Sequence, residues 1–110
     1  MARRRKRKPE PAAPPPAPPP RLVVRTASQF ERDVKRLEKQ GKDMHKLQTI
    51  VEALQNRQSL PPRNRDHALT GQWKGVRECH VEPDWLLMYE RGPDWLLLVR
   101  TGSHSELELE

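Results

Sequence analysis

The segment that decides the fold is VRECHVEPDWLLMYERGPDWLLLVR, residues 76–100, in which three apolar runs alternate with two short turns. The runs Val76–Val81, Trp85–Glu90 and Trp95–Arg100 contain the β-branched and aromatic side chains that favour strands. Both turns contain Pro-Asp, in which proline restricts the backbone and aspartate bonds to it. Because short turns join neighbouring strands that run in opposite directions, the segment predicts a three-stranded antiparallel meander.

Upstream of the meander, the pattern predicts one strand and two helices. Arg21–Arg25 is a short run with β-branched residues. Ser28 and Glu31 have the spacing of a capping box, apolar residues then recur at helical spacing, and Gly41 supplies a stop. A second apolar helix follows Asp43. This order predicts an α+β domain, a small antiparallel sheet with two helices packed on one face and the other face free for a ligand.

The first 21 residues differ in composition from the rest of the chain. They hold eight prolines, seven basic residues and one acidic residue, and they lack aromatic side chains. Little apolar surface is available there to offset the cost of ordering, so we predict a disordered arm over residues 1–21 and a single domain over residues 22–110. An alternative is that translation begins nearer Leu22. Basic and acidic residues balance in the domain, so the formal net charge of +6 lies on the arm.

Cysteine usage and hydropathy exclude several classes of protein. Cys79 is the sole cysteine, which excludes an intramolecular disulfide and any zinc site built on paired cysteines. No apolar run approaches the roughly 20 residues of a membrane span, and the arm lacks the apolar stretch of a secretory signal. We therefore expect a cytoplasmic protein without membrane contact.

Three of the four histidines are candidates for chemistry. His45 lies beside the apolar stripe of the second helix, and we expect it to be exposed and inert. His67 lies in a long polar segment, His80 near the end of a strand, and His104 just after the last strand. A long polar segment in so small a domain usually carries function or is loosely held.

Three interpretations of His67, His80 and His104 are open from the residues alone. Imidazole titrates near neutrality, so one histidine can take the 2′-hydroxyl proton of RNA while another protonates the leaving 5′-oxygen. Zinc held by the three histidines with Asp84 is a second interpretation, although their spacings match no recurrent ligand motif. In the third, they are polar residues at strand ends that bond to loop backbone.

Two stretches resemble the YafQ branch of the RelE/ParE toxin superfamily. They are RDHALTGQWKGVRECHVEPDWLLMY, residues 65–89, and RTGSHSEL, residues 100–107, within a likeness that runs from residue 22 to about residue 108. The resemblance implies a RelE-like fold and a toxin that cleaves mRNA in the ribosomal A site. It implies as partners the ribosome, mRNA and a cognate antitoxin whose flexible segment covers the active face. Operator DNA would be contacted only through the antitoxin complex, and no cofactor or metal is expected.

Carried over residue by residue, the family's catalytic set falls on His67, His80, Asp84, Trp85 and His104. We predict metal-independent transesterification, which leaves a 2′,3′-cyclic phosphate and a 5′-hydroxyl. In this scheme His104 is the general acid and His80, supported by Asp84, is the general base, although the two labels can be exchanged. His67 would bind the phosphate, and Trp85 would stack on a base.

Other residues near the motif are assigned further parts in this scheme. Lys74 and Arg77 are expected to add positive charge for RNA, although strand alternation puts Arg77 on the face opposite His80. The repeated Pro93-Asp94-Trp95 lies outside the motif and is assigned to packing. Glu108 stands where these toxins usually carry phenylalanine, and a carboxylate cannot stack on a base. Either residue 108 lies outside the site, or it raises the pKa of His104, or cleavage is weakened.

Two rival functions share the fold. One is a non-catalytic inhibitor of DNA gyrase, as in ParE relatives, and the histidine trio argues against it. The other is a degenerate toxin that still binds antitoxin and operator DNA without cutting RNA. Glu108 and the arm keep this second rival open.

Overall fold

The computed structural model describes residues 20–107. Most of the predicted arm, and Glu108, therefore lie outside the described residues. The described part consists of strands β1 to β5, helices α1 and α2, and a short helix α3. In chain order these are β1 (Val23–Thr26), α1 (Ser28–Lys39), α2 (Met44–Gln55), β2 (His67–Ala68), β3 (Arg77–Glu82), β4 (Trp85–Arg91), β5 (Trp95–Gly102) and α3 (His104–Leu107). Within this part, every helix is too short or too polar to cross a bilayer.

The five strands form one sheet in the order β1-β5-β4-β3-β2. The predicted meander is confirmed, because β3, β4 and β5 pair in sequence as antiparallel neighbours. The α+β class is confirmed as well. The sheet is mixed rather than purely antiparallel, however, since β1 pairs with β5 in parallel. Turn residues specify the direction of strands that they join directly, whereas two helices separate β1 from the other strands.

Helices α1 and α2 pack on one face of the sheet and form the main core with it. Leu37 and Leu54 on the helices, and Cys79, Leu87 and Leu96 on the strands, are almost completely buried in this cluster. Truncation of Leu87 to alanine would cost about 2–5 kcal/mol at such a site.

The opposite face of the sheet is only partly open, which corrects the expectation that it is free. Leu86 and Met88 on this face pack with Leu107 of α3, and Leu69 and Trp73 lie against them. The polar segment predicted as a loop contains β2 and two 3₁₀ turns, at Pro62–Asn64 and Gly71–Trp73. It covers part of this face through Leu69 and Trp73.

The helix that uses a capping box is not the one predicted. Ala27, rather than Ser28, is the N-cap of α1, because the Ala27 N–H bonds to Leu98 O at 2.9 Å and extends the sheet by one residue. The capping box occurs at α3, where Ser103 N–H bonds to Glu106 Oε1 at 2.9 Å and Glu106 N–H bonds to Ser103 Oγ at 3.1 Å. The sequence carries the same Ser-x-x-Glu signal at both places.

The predicted start of α2 is confirmed. Asp43 is its N-cap and accepts a hydrogen bond from the His45 N–H at 3.0 Å. The side chain of His45 is exposed, as expected. At the end of α1, Gly41 has a φ of 76°, the left-handed conformation that glycine adopts most easily.

Candidate active site

The register of the sheet brings the ends of β3, β4 and β5 together at one corner. Leu86, near the start of β4, is paired with His80 on one side and with Gly102 on the other. Asp84 precedes β4 and His104 follows β5, so these two residues meet beside that pairing. Because paired residues share a face, His80 lies with Leu86 on the face opposite α1 and α2.

Asp84 and His104 form the central pair of the site. Asp84 Oδ1 lies 2.6 Å from His104 Nδ1 and also accepts a hydrogen bond from the His104 N–H at 3.0 Å. These contacts, first from the backbone N–H and then from the imidazole, hold the pKa of Asp84 below its usual range. An ionised carboxylate only accepts, so Nδ1 of His104 carries a proton and Nε2 is left for the substrate. Both side chains are open to solvent, which leaves them accessible to RNA.

His80 lies beside this pair, and Glu78 supports it. The rings of His80 and His104 have centroids 5.6 Å apart. His80 Nδ1 is 3.3 Å from Pro83 O, and its Nε2 is 3.6 Å from Glu78 Oε1. The prediction that Asp84 supports His80 is therefore wrong. Glu78 was missed, although its position two residues before His80 on a strand places both side chains on one face.

His67 lies one strand further along the sheet. It is exposed on β2, and its register partner across the ladder is Glu78. Its Nδ1 is 2.7 Å from Arg65 O, a carbonyl that only accepts, so Nδ1 carries the proton and Nε2 is the open nitrogen. The structure thus places His67 opposite Glu78, which in turn lies beside His80.

The assignment of Trp85 to base stacking is wrong in this structure. Its side chain belongs to the core under the helices, and the residue is only 1% exposed. The indole Nε1–H bonds to Thr101 Oγ1 at 2.9 Å. Strand alternation explains the difference, because Leu86 faces the site and Trp85 must therefore point to the helix side. Trp95, its counterpart in the repeat, lies over Gly92 in the other hairpin, where an added Cβ would come within 2.0 Å of the ring.

Lys74 and Arg77 have different surroundings. Arg77 faces away from His80, as alternation predicts, and its Nε donates to Asp66 Oδ1 at 3.2 Å and to Tyr89 OH at 3.3 Å. These contacts give Arg77 a structural role, and its part in binding RNA stays a prediction. Lys74 is exposed at the end of a 3₁₀ turn, and its role in binding RNA stays a prediction.

A buried carboxylate on α1 holds the end of β5. Asp33 is completely buried, and its Oδ2 accepts from Arg100 Nε at 2.8 Å and from Thr101 N–H at 3.2 Å. Its Oδ1 accepts from Arg36 at 2.8 Å. Burial by itself would raise the pKa of Asp33, but the hydrogen bonds from Arg100, Arg36 and other donors bring it below its usual range. In the sequence, Asp33 is a charged residue within the apolar stripe of the first predicted helix.

Arg36 carries this network to the turn that bears His104. Its Nη2 donates to Thr101 O at 3.0 Å, and its Nε is 2.6 Å from Glu106 Oε2. Glu106 is the residue that closes the capping box with Ser103. A Cβ added at Gly102 would lie 2.6 Å from Arg36 Nη2, so glycine is needed for this close approach. The backbone on both sides of His104 is therefore fixed by side chains from α1 and α3.

One cluster at the site has the donors for a metal ion. Glu78, His80 and His104 each offer one ligand atom, and these three atoms lie within 4.8 Å of one another. A set of two imidazoles and a carboxylate is typical of catalytic zinc. This set differs from the zinc set considered from the sequence, because Glu78 takes the place of His67 and Asp84.

Comparison with known proteins gives consistent matches. The family model described as a bacterial toxin of type II toxin–antitoxin systems, YafQ, matches residues 22–109. The mRNA interferase toxin YafQ of Escherichia coli K12 is 42% identical over 85 residues, which are 76% of this chain and 92% of that protein.

Solved structures agree with this match. The crystal structure of YafQ from E. coli BL21(DE3) has a TM-score of 0.75 at 40% identity, and covers 78% of this chain and 97% of its own. YafQ in the E. coli DinJ–YafQ complex has a TM-score of 0.74 at 41% identity, with 79% and 97% covered. A metal-bound toxin from Helicobacter pylori has a TM-score of 0.74 at 44% identity, with 78% and 98% covered. The resemblance predicted from the sequence is therefore confirmed, and the chain belongs to the YafQ family of bacterial toxins of type II toxin–antitoxin systems.

Proposed function

We propose that this chain is an endoribonuclease that cleaves mRNA on the ribosome by proton transfer between histidines. Two E. coli relatives are named mRNA interferase toxins. The observation that carries the proposal is the Asp84–His104 hydrogen bond at 2.6 Å, with the His80 ring 5.6 Å from that of His104. A pair of imidazoles at the accessible edge of a sheet, each beside a carboxylate, is suited to acid–base catalysis.

His104 acts as the general acid. The Asp84 carboxylate stabilises the protonated imidazole and fixes the ring, which leaves Nε2–H to protonate the 5′-oxygen as it departs. The bond between phosphorus and this 5′-oxygen breaks, and a 5′-hydroxyl is released. A positioned acid of this kind contributes about 10²–10⁴ in rate.

His80 acts as the general base. Its Nδ1 bonds to a backbone carbonyl, so Nε2 of the neutral ring has a free lone pair that takes the 2′-hydroxyl proton. The 2′-oxygen attacks phosphorus and a 2′,3′-cyclic phosphate forms. Glu78, 3.6 Å away, stabilises the positive charge that His80 acquires. His67, on the neighbouring β2, binds the phosphate.

The proposed reaction runs without a metal ion, since two imidazoles supply both proton transfers. The Glu78, His80 and His104 cluster makes metal-dependent catalysis the competing mechanism. Phenanthroline separates the two, because it removes zinc and copper from proteins while leaving ribosomal magnesium in place. Cleavage that survives phenanthroline supports the acid–base mechanism, whereas loss of cleavage that added zinc restores contradicts it.

Partners follow from the relatives. The E. coli toxin was solved in complex with its antitoxin DinJ. We expect a cognate antitoxin to cover the His80 and His104 corner, and operator DNA to be contacted only through that complex. The site of action would be the cytoplasm, where mRNA and ribosomes are found, and no membrane partner is proposed.

Induction of the chain in bacteria without an antitoxin tests the proposal. The expected result is growth arrest, with transcripts cut at codon-aligned positions that primer extension detects. Arrest with intact transcripts and altered plasmid supercoiling would favour gyrase inhibition. Normal growth, with antitoxin binding retained, would favour a degenerate toxin.

A further inference from the structure

A cleft lies beside His80, on the side of the 3₁₀ turn at Pro62–Asn64. It has a volume of about 520 Å³ and is lined by Arg63, Asn64, Arg65 and His80, together with the 81–83 segment. Neither arginine belongs to the catalytic set carried over from the family. The cleft adjoins the site and can hold a part of the substrate that does not react.

The turn that carries the two arginines is bonded to both neighbouring histidines. Asn64 is buried, and its Nδ2 donates to His80 O at 2.7 Å. The next residue, Arg65, accepts a hydrogen bond at its carbonyl from His67 Nδ1 at 2.7 Å. The backbone that carries Arg63 and Arg65 is therefore held in place relative to His67 and His80.

The charge of this cleft is positive. Arg63 and Arg65 are exposed, and within residues 20–107 neither side chain forms a salt bridge. Glu82 is the carboxylate in the lining, and Lys46 binds it at 2.8 Å and Lys42 at 3.6 Å. The hydrogen bond from Lys46 and the charges of both lysines hold the pKa of Glu82 below its usual range, so its charge is compensated.

The 3₁₀ turn ends at Arg65. Arg65 has a φ of 44°, a left-handed conformation that is uncommon for a residue other than glycine, asparagine or aspartate. Its N–H bonds to Pro62 O, which closes the turn. This conformation places an arginine at the cleft where glycine would be easier to accommodate.

We propose that the Arg63–Arg65 cleft binds a backbone phosphate of the RNA strand, next to the phosphate that is cleaved. The inference rests on the proposed function, because it places RNA at His80. Guanidinium groups bind phosphate through paired N–H donors, and the anchored turn holds them beside the scissile nucleotide. The cleft thus sets the register of the strand, while His80 and His104 carry out the reaction.

Direct binding tests the cleft without cleavage. The probe is a fluorescein-labelled 2′-O-methyl RNA decamer, which lacks the attacking hydroxyl, and its anisotropy is measured at several salt concentrations. The full-length Arg63→Gln/Arg65→Gln variant is compared with Arg32→Gln/Arg91→Gln, which removes two exposed arginines elsewhere. The Arg63→Lys/Arg65→Lys variant keeps the charge at the cleft. Circular dichroism verifies that each variant is folded.

The glutamine variant of the cleft should bind the decamer at least about tenfold more weakly at low salt. The slope of log affinity against log salt should become shallower by about 1.4, for two lost phosphate contacts on a single strand. The lysine variant should keep most of the slope, and the control variant should match the wild type. On programmed ribosomes, KM should rise more than kcat falls.

Three results would overturn the inference. The first is equal affinity and slope for the cleft and control variants, and the second is no binding of the decamer by the wild type at the lowest salt. The third is unchanged RNA binding with weakened antitoxin binding, which would assign the cleft to the antitoxin. If the wild type binds the decamer through the cleft and yet cuts no mRNA, the proposed function fails while the cleft assignment holds.

Discussion

Asp84 receives two hydrogen bonds from His104 at one oxygen, Oδ1: one from the backbone N–H at 3.0 Å and one from Nδ1 at 2.6 Å. The first contact fixes the start of α3 relative to β4. The second fixes the orientation and tautomer of the imidazole. One carboxylate therefore positions His104 both in the backbone and in the ring, although neither side chain is buried.

The first prediction concerns Asp84→Asn. The amide keeps the shape but loses the charge that stabilises protonated His104, so kcat should fall about 10- to 100-fold with little change in KM. Single-turnover cleavage on programmed ribosomes measures this. Asp94→Asn is the matched control, because Asp94 occupies the same position in the repeated Pro-Asp-Trp and lies away from the site. Equal effects of the two substitutions would show that Asp84 has no catalytic part.

The second prediction concerns the stability supplied by Asp33. Asp33→Asn leaves Arg100 without its charged partner and Arg36 with Glu106 alone, and the cost should be about 3 kcal/mol in the free energy of unfolding. Denaturant titration measures it, and Asp43→Asn on the surface is the control. A loss below about 1 kcal/mol would mean that the network contributes little.

The same carboxylate predicts a dependence on pH. Because the pKa of Asp33 is lower in the folded chain than its ordinary value of 3.8, its stabilisation is complete above that value and is lost as the pH falls through the folded pKa. The difference in stability between wild type and Asp33→Asn should therefore be constant near neutral pH and shrink below about pH 4. A difference that grows on acidification would contradict this sign.

The third prediction concerns Gly102→Ala. The added methyl group would meet Arg36 Nη2 at 2.6 Å, and Arg36 cannot move without loosening its contacts with Asp33 and Glu106. We expect a loss of about 1–3 kcal/mol in stability and a lower kcat, because the turn before His104 shifts. Gly41→Ala is the control, because Gly41 also has a positive φ but an added Cβ there would meet open space. If the control loses as much activity as Gly102→Ala, the effect on cleavage is not local to the site.

The fourth prediction concerns the arm. Residues 1–21 carry the formal excess of positive charge, so we expect them to contact the phosphates of ribosomal RNA beside the docked domain. Deletion of residues 1–19 retains Pro20, whose carbonyl accepts from Arg57 Nε at 3.2 Å. The truncated chain should keep its fold and lose ribosome affinity most at low ionic strength. Equal ribosome binding across a salt series would remove any tethering role from the arm.

The meander and both main helices followed from local signals in the sequence, whereas the set of candidate residues followed from the resemblance to the YafQ family. Turn residues define hairpins, and apolar spacing defines helices, without knowledge of the rest of the fold. The parallel pairing of β1 did not follow, because two helices separate β1 from the meander and no short turn sets its direction. The burial of Trp85 did not follow, because it depends on which face of the assembled sheet receives α1 and α2. The motif that carries Asp84 and Trp85 indicated function for both residues. In the folded sheet, Asp84 bonds to His104, whereas the Trp85 side chain is buried in the core.

Residues that support the histidines were the hardest to predict. Glu78 lies on a predicted strand, two residues before its partner His80. Asp33 lies on the first predicted helix, 67 residues before its partner Arg100. Glu78 was within reach of strand alternation. The contact between Asp33 and Arg100 required the packing of α1 against β5, which no local pattern specifies.

The central claim is that His104, held by Asp84, protonates the leaving oxygen in a metal-independent transesterification on the ribosome. The most direct measurement is the chemistry of the RNA ends left by the purified chain on programmed ribosomes, with His104→Ala as the comparison. We predict codon-aligned cuts in the A site that carry a 2′,3′-cyclic phosphate and a 5′-hydroxyl. We also predict that His104→Ala binds the ribosome but reduces cutting by about 10²–10⁴. Ends with a 5′-phosphate and a 3′-hydroxyl, or undiminished cutting by His104→Ala, would contradict it.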